Sequence, residues 1–173
     1  MLVIGECIHV ISPKVREAID GRNKDFIKEL AEQQLKKGAN ILDLNIGPQK
    51  KAGAEVMPWM VNTVQELGDV ALSLDTTNPV AMEAGLKVVK NKAIINSTDS
   101  TPQRISALMP LAAKYNANII ALTLAAAGLP TSADARIELA AEKLLPAAAE
   151  YGVPVENIFL DPLVLTINGN QDQ

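Results

Sequence analysis

Short apolar runs alternate with longer amphipathic stretches along the chain. The runs are LVIGE (2–6), NILDLNIG (40–47), DVALSLDT (69–76), KAIINS (92–97), NIIALTL (118–124) and NIFLDPL (157–163). Each is short and rich in branched aliphatic residues, which predicts a β-strand buried on both faces. The stretches between them carry a helical period. DFIKELAEQQLKKGA (25–39) places Ile27, Leu30, Ala31 and Leu35 on one face, with Lys36 and Lys37 near its end and Gly38 as its stop. Further helices are predicted from Pro13, within 52–67 despite Pro58, over 79–90 with Pro79 in first position, and over 102–115 behind a Thr101 cap. A long alanine-rich helix capped by Ser132 or Thr131 is predicted to run to Tyr151 and stop at Gly152 and Pro154. Its alanine face over 133–149 is expected to pack in the core.

The repeating unit is therefore β–α. Right-handed crossovers then give a parallel sheet, either doubly wound or closed as a (β/α)8 barrel. No G-x-G-x-x-G follows the first strand, which weakens a dinucleotide-binding reading. An eight-stranded barrel takes about 250 residues. If the fold is a barrel, only about six β–α units are present, and the chain is expected to be truncated at its C-terminus. No linker interrupts it, so residues 1–173 read as a single domain.

Composition narrows the function classes. Hydrophobic residues make up 48% of the 173 and aromatics only 3%, so Ala, Leu, Ile and Val do the packing. A net charge of -4 leaves no basic footprint for nucleic acid, and few aromatics leave no stacking platform for single strands. One cysteine excludes an internal disulfide framework and a cysteine-built zinc or iron–sulfur site, and it fits a reducing, cytoplasmic compartment. No apolar run approaches the roughly 18 residues of a membrane span. Residues 1–11 lack a basic start and are interrupted by Glu6, so they read as a strand rather than a signal peptide.

The strands end on polar residues. The first ends in Glu6, with Cys7 and His9 beyond. The second carries Asp43 and Asn45, the third Asp75, Thr76 and Asn78, and the fourth Asn96, Ser97 and Thr98. Thr123 and Asp161 end the fifth and sixth. In a parallel α/β fold such ends converge on the ligand-binding face. The site would be acidic and amide-rich. A carboxylate accepts two parallel hydrogen bonds from a fork of donors, and a pterin or guanine edge supplies one. A phosphate would want Lys, Arg or a glycine nest instead. A hard cation would accept carboxylates, but no His-rich or D-x-D cluster is there to fix one, and no bound metal is expected. Each residue also has a plainer role open to it. Asp75, Asn96, Asp161 and Asn45 can serve as caps or turn formers, and Asp43 can simply hold neighbouring backbone. Cys7 reads as a small packed thiol. His9, the one histidine, can be a general acid, a ligand contact or an ordinary side chain. Lys36, Lys37, Lys50 and Lys51 read as solvated charges.

The motifs GE after strand one, LDLNIGP (42–48), LDTTN (74–78), INSTD (95–99) and LDPL (160–163) together resemble the pterin-binding methyltransferases over essentially the whole chain. Within them the pattern is most similar to the methyltetrahydrofolate:corrinoid/iron–sulfur protein methyltransferases. The resemblance implies a (β/α)8 barrel of the dihydropteroate synthase-like type, a homodimer, and a pterin ring held by Asp75, Asn96 and Asp161. Glu6, His9, Asp43 and Asn45 would line the site. The implied reaction moves a methyl group between N5 of tetrahydrofolate, as substrate, and the cobalt of a corrinoid. No D-x-H-x-x-G is present, and one cysteine cannot hold an iron–sulfur cluster, so a separate corrinoid protein would supply the cobalt. That partner could serve acetyl-CoA synthesis or O-demethylation.

The resemblance is incomplete in two places. The family commonly reads G-E-R-x-N after strand one, whereas this chain reads GECIH, with Cys7 for the Arg and His9 for the Asn. The catalytic Asn that the family carries on strand seven has no counterpart to assign. Two alternatives stand beside the methyltransferase. One is a dihydropteroate synthase-like enzyme, which would need Lys and Arg late in the barrel. The other is a pterin-binding chain without turnover.

Overall fold

The computed structural model describes residues 1–49 and 52–164. It divides into two compact units, Met1–Asn96 and Ser97–Gln173.

In the first unit, β1 (Ile4–His9) leads through α1 (Pro13–Asp20) and α2 (Lys24–Lys36) to β2 (Ile41–Asn45). Then α3 (Gly53–Gln65), β3 (Ala71–Asp75) and α4 (Pro79–Leu86) precede β4 (Ile94–Thr98), whose residues through Asn96 belong to this unit. Neighbouring strands pair in parallel, β1 with β2, β2 with β3, and β3 with β4. Leu42, Leu44, Leu72, Leu74 and Ile95 are fully buried and share the face that the helices cover. Met57 and Met60 of α3 and Met82 of α4 fill the layer above them. Gly85 lets α3 approach closely, since a Cβ there would stand 2.5 Å from Met57 Cγ and 2.9 Å from Leu74 Cδ1.

The helix ends follow local chemistry. Asn23 caps α2 by accepting from the Phe26 N–H at 3.2 Å. Asn78 caps α4 by accepting from Val80 at 3.0 Å and Ala81 at 3.4 Å, and Pro79 takes the first helical position as predicted. Pro58 lies inside α3, which forgoes one backbone bond there. Of the predicted α2 face, Ile27 and Ala31 are buried, while Leu30 and Leu35 are half-buried. Gln34 is buried beside them.

The second unit contains α5 (Pro102–Lys114), β5 (Asn118–Leu122), α6 (Ala133–Leu139), α7 (Leu145–Glu150) and β6 (Ile158–Asp161), with β5 and β6 parallel. Thr101 caps α5 and Ser132 caps α6. The alanine-rich stretch is not one regular helix. A π-helical turn over Ala140–Leu144 joins α6 to α7. Pro146 has no N–H to return to the carbonyl one turn earlier, and the wider π-turn sits where that bond is lost. The expectation of a packed alanine face also fails over most of its length. Only Ala140, Leu144 and Ala148, at a spacing of four, are buried, and α6 buries nothing. Among the described residues no helix is long and apolar enough to cross a membrane.

Candidate functional site

The C-terminal ends of the first four strands bring one row of polar residues into register. His9 pairs with Asn45, Asn45 with Asp75, and Asp75 with Asn96. Side chains alternate across a strand, so the residues two positions earlier share their face. For Asn45, Asp75 and Asn96 those are Asp43, Ser73 and Ile94, themselves partners in register. The opposite face is the leucine layer beneath the helices.

Hydrogen bonds tie the row together. Asn45 Nδ2 donates to Asp75 Oδ2, while Asn45 Oδ1 accepts from the Gly47 N–H at 2.9 Å. Asn45 thus forms a turn and also lines the cavity at these strand ends. Gly47 follows with φ +63°, a conformation suited to glycine. Asp43 Oδ1 accepts from Ser73 Oγ at 2.6 Å and from Asn96 Nδ2 at 3.0 Å. Asp43 is 3% exposed, and burial pushes its carboxyl above the ordinary range. The bonds from Ser73 and Asn96 and the nearness of His9 oppose that shift, while Glu6 adds to it.

Glu6, His9, Ile11, Asp43, Asn45 and Asp75 line a cavity of about 300 Å³. All four expected lining residues are therefore brought together with Asp75. Asn96 joins them through Asp43. Asp161 lies in the second unit, where its Oδ1 accepts from the Leu163 N–H at 2.7 Å and its carbonyl accepts from the Thr123 N–H at 2.9 Å. Its turn-forming role is thus visible.

Some expectations need correction. Cys7 is exposed, not packed; it lies between Gly5 and Ile8, where β1 falls out of step with β2. Strand one runs over Ile4–His9 rather than 2–6, since pairing continues to the end of the row. Asn78 is committed to capping α4, and its Nδ2 donates to the Gln49 carbonyl at 2.9 Å. Thr76 is likewise engaged, donating to the Gly47 carbonyl at 2.7 Å. Lys36 and Lys37 are exposed as expected, while Lys50 and Lys51 lie outside the described residues. Ser73 is the site residue that sequence reading missed. Its signal was a hydroxyl two positions before Asp75, on the same strand face. Among the described residues, no group of three or more His, Cys, Asp or Glu side chains is arranged to hold a metal.

Parallel β–α units with Asp and Asn gathered at the strand ends define an α/β protein with a polar cavity at that edge. The chain belongs to the family described as pterin binding enzyme, which matches residues 12–173. It is 26% identical to the methylcorrinoid:tetrahydrofolate methyltransferase of Eubacterium limosum over 170 residues, which cover 97% of this chain and 62% of that protein. It is 27% identical to the methionine synthase of Mycobacterium tuberculosis, matching along its whole length and over 15% of that protein. The chain thus spans less than two thirds of these relatives. Among solved structures it is similar to the dihydropteroate synthase of Thermus thermophilus, with a TM-score of 0.66 and 24% identity over 98% of this chain and 62% of that one. A Yersinia pestis dihydropteroate synthase gives 0.65 and 19% over 98% and 63%. These likenesses identify the fold as that of the TIM-type barrel.

Proposed function

We propose that this chain is the folate-binding part of a methyltransferase. It would move a methyl group between N5 of tetrahydrofolate and the cobalt of a corrinoid carried by a separate protein. The observation that carries this reading is the row His9–Asn45–Asp75–Asn96, taken with the similarity to a methylcorrinoid:tetrahydrofolate methyltransferase over 97% of the chain. Asp75, its carboxylate plane fixed by Asn45, takes the 2-amino and N3–H fork of the pterin. Asn96 gives its N–H to Asp43, which leaves its carbonyl oxygen as the acceptor presented to the ring. Asp161 carries the same expectation from its LDPL motif, and Asp161→Asn tests it. In the transfer the N5–methyl bond breaks as the cobalt–methyl bond forms. A neutral N5 is a poor leaving group, so a proton or a strengthening hydrogen bond must reach it. The same reading makes the protein a cytoplasmic homodimer that works with a corrinoid protein, in acetyl-CoA synthesis or O-demethylation.

A dihydropteroate synthase-like enzyme is the second reading, and membership of the pterin binding family accommodates it. One assay separates the two. The full chain is incubated with isotopically labelled methyltetrahydrofolate and a reduced corrinoid protein, and in parallel is assayed for dihydropteroate formation. Label on the corrinoid supports the methyltransferase. Dihydropteroate formation without labelled corrinoid supports the synthase.

A further inference from the structure

Two site residues, Glu6 and His9, line the same cavity although they are three positions apart on one strand. A regular strand sends such residues to opposite faces. A bulge in β1 resolves the conflict. Gly5 pairs with Leu42 and Ile8 with Leu44, so β1 advances three residues while β2 advances two. Gly5 and Ile8 thereby both face the helices, and His9 falls opposite Asn45 on the cavity side. Without the extra residue His9 would point toward the helix layer. Bulges are rare in parallel pairs and leave a backbone group without its ladder partner.

Gln34 of α2 supplies a partner. Its Oε1 accepts from the Cys7 N–H at 2.8 Å. Gln34 is 7% exposed, and its Nε2 has no hydrogen-bond partner among the described residues. Leucine would fill this place without burying an orphan donor, so the bond to Cys7 is what the glutamine contributes. The fit is tight, because a Cβ on Gly5 would stand 2.6 Å from the same Oε1.

We infer that Gln34, on the outer helix layer, is a positioning residue: it latches the β1 bulge and so aims Glu6 and His9 into the site. Where it concerns ligand affinity, this inference rests on the pterin reading. Where it concerns the placement of His9, it stands alone.

His9 is the one histidine in the chain, so a protein free of any polyhistidine tag gives a single set of imidazole NMR signals. Those signals and methyltetrahydrofolate affinity are measured in the full chain, in Gln34→Leu, in Gly5→Ala, which crowds the latch while keeping Gln34, and in Gln34→Glu, which keeps an acceptor oxygen. The expected result is displaced imidazole signals and about tenfold weaker binding in the first two variants, with Gln34→Glu closer to wild type. Unmoved imidazole signals in Gln34→Leu and Gly5→Ala, with only a lower melting temperature, would overturn the inference. Displaced signals in a protein whose wild type binds no methyltetrahydrofolate would uphold the latch and remove the pterin reading.

Discussion

The Ser73 hydroxyl lies 2.6 Å from Asp43 Oδ1, on the neighbouring strand and in register with it. The same oxygen takes the Asn96 amide at 3.0 Å. One buried carboxyl therefore fixes side chains from β3 and β4 and engages the donor end of the Asn96 amide. Asp43 thus ties β2, β3 and β4 together at the polar strand ends.

Asp43 also makes stability depend on pH. Its folded pKa is raised above the ordinary 3.8, chiefly by burial. The protonated form therefore favours folding. Its contribution is complete below the unfolded value and is lost as pH rises through the raised folded value. Asp43→Asn keeps an acceptor for Ser73 and Asn96 but cannot ionise. The variant should melt above wild type at neutral pH, with the gain closing as pH falls into the acid range. Thermal unfolding across pH checks this, and a variant less stable at neutral pH would show that the ionised carboxylate is net stabilising.

Gly85 is needed for packing rather than for backbone freedom. An added methyl would collide with Met57 and Leu74 at the α3–α4 contact. Gly85→Ala should cost about 1–3 kcal/mol by overpacking, read from urea unfolding. A neutral result would mean that the methionine swings away freely.

Asn78 is assigned to the cap and not to the ligand. Asn78→Ala removes the one oxygen that accepts from two helix N–H groups, and a donor to the Gln49 carbonyl. It should lose about 1–2 kcal/mol of stability while ligand affinity per folded molecule stays unchanged. A fall in affinity beyond the unfolded fraction would place Asn78 in the site.

Most of the fold was legible because strand and helix here are written in simple periods. LSLD puts Leu72 and Leu74 on one face and Ser73 and Asp75 on the other, and the structure keeps that division. The residues clustered about the cavity were legible as polar endings to apolar runs. The β1 bulge was not, since it depends on a glutamine 27 residues away whose contact leaves no trace in local periodicity. Cys7 was misplaced for the same reason. The π-turn before Pro146 escaped because helical propensity reports that a segment is helical, not how tightly it winds. Ser73 escaped because a neutral hydroxyl inside an apolar strand resembles a packing residue.

The most direct test is calorimetric titration of the full chain with methyltetrahydrofolate, beside Asp75→Asn. Replacing one carboxylate oxygen by an amide removes half of the acceptor pair and sets a donor against the pterin fork. Saturable binding by the wild type, weakened at least about tenfold in the variant, is the predicted result. No binding by the wild type, or equal affinity in both, would contradict the assignment of this strand-end row to a pterin.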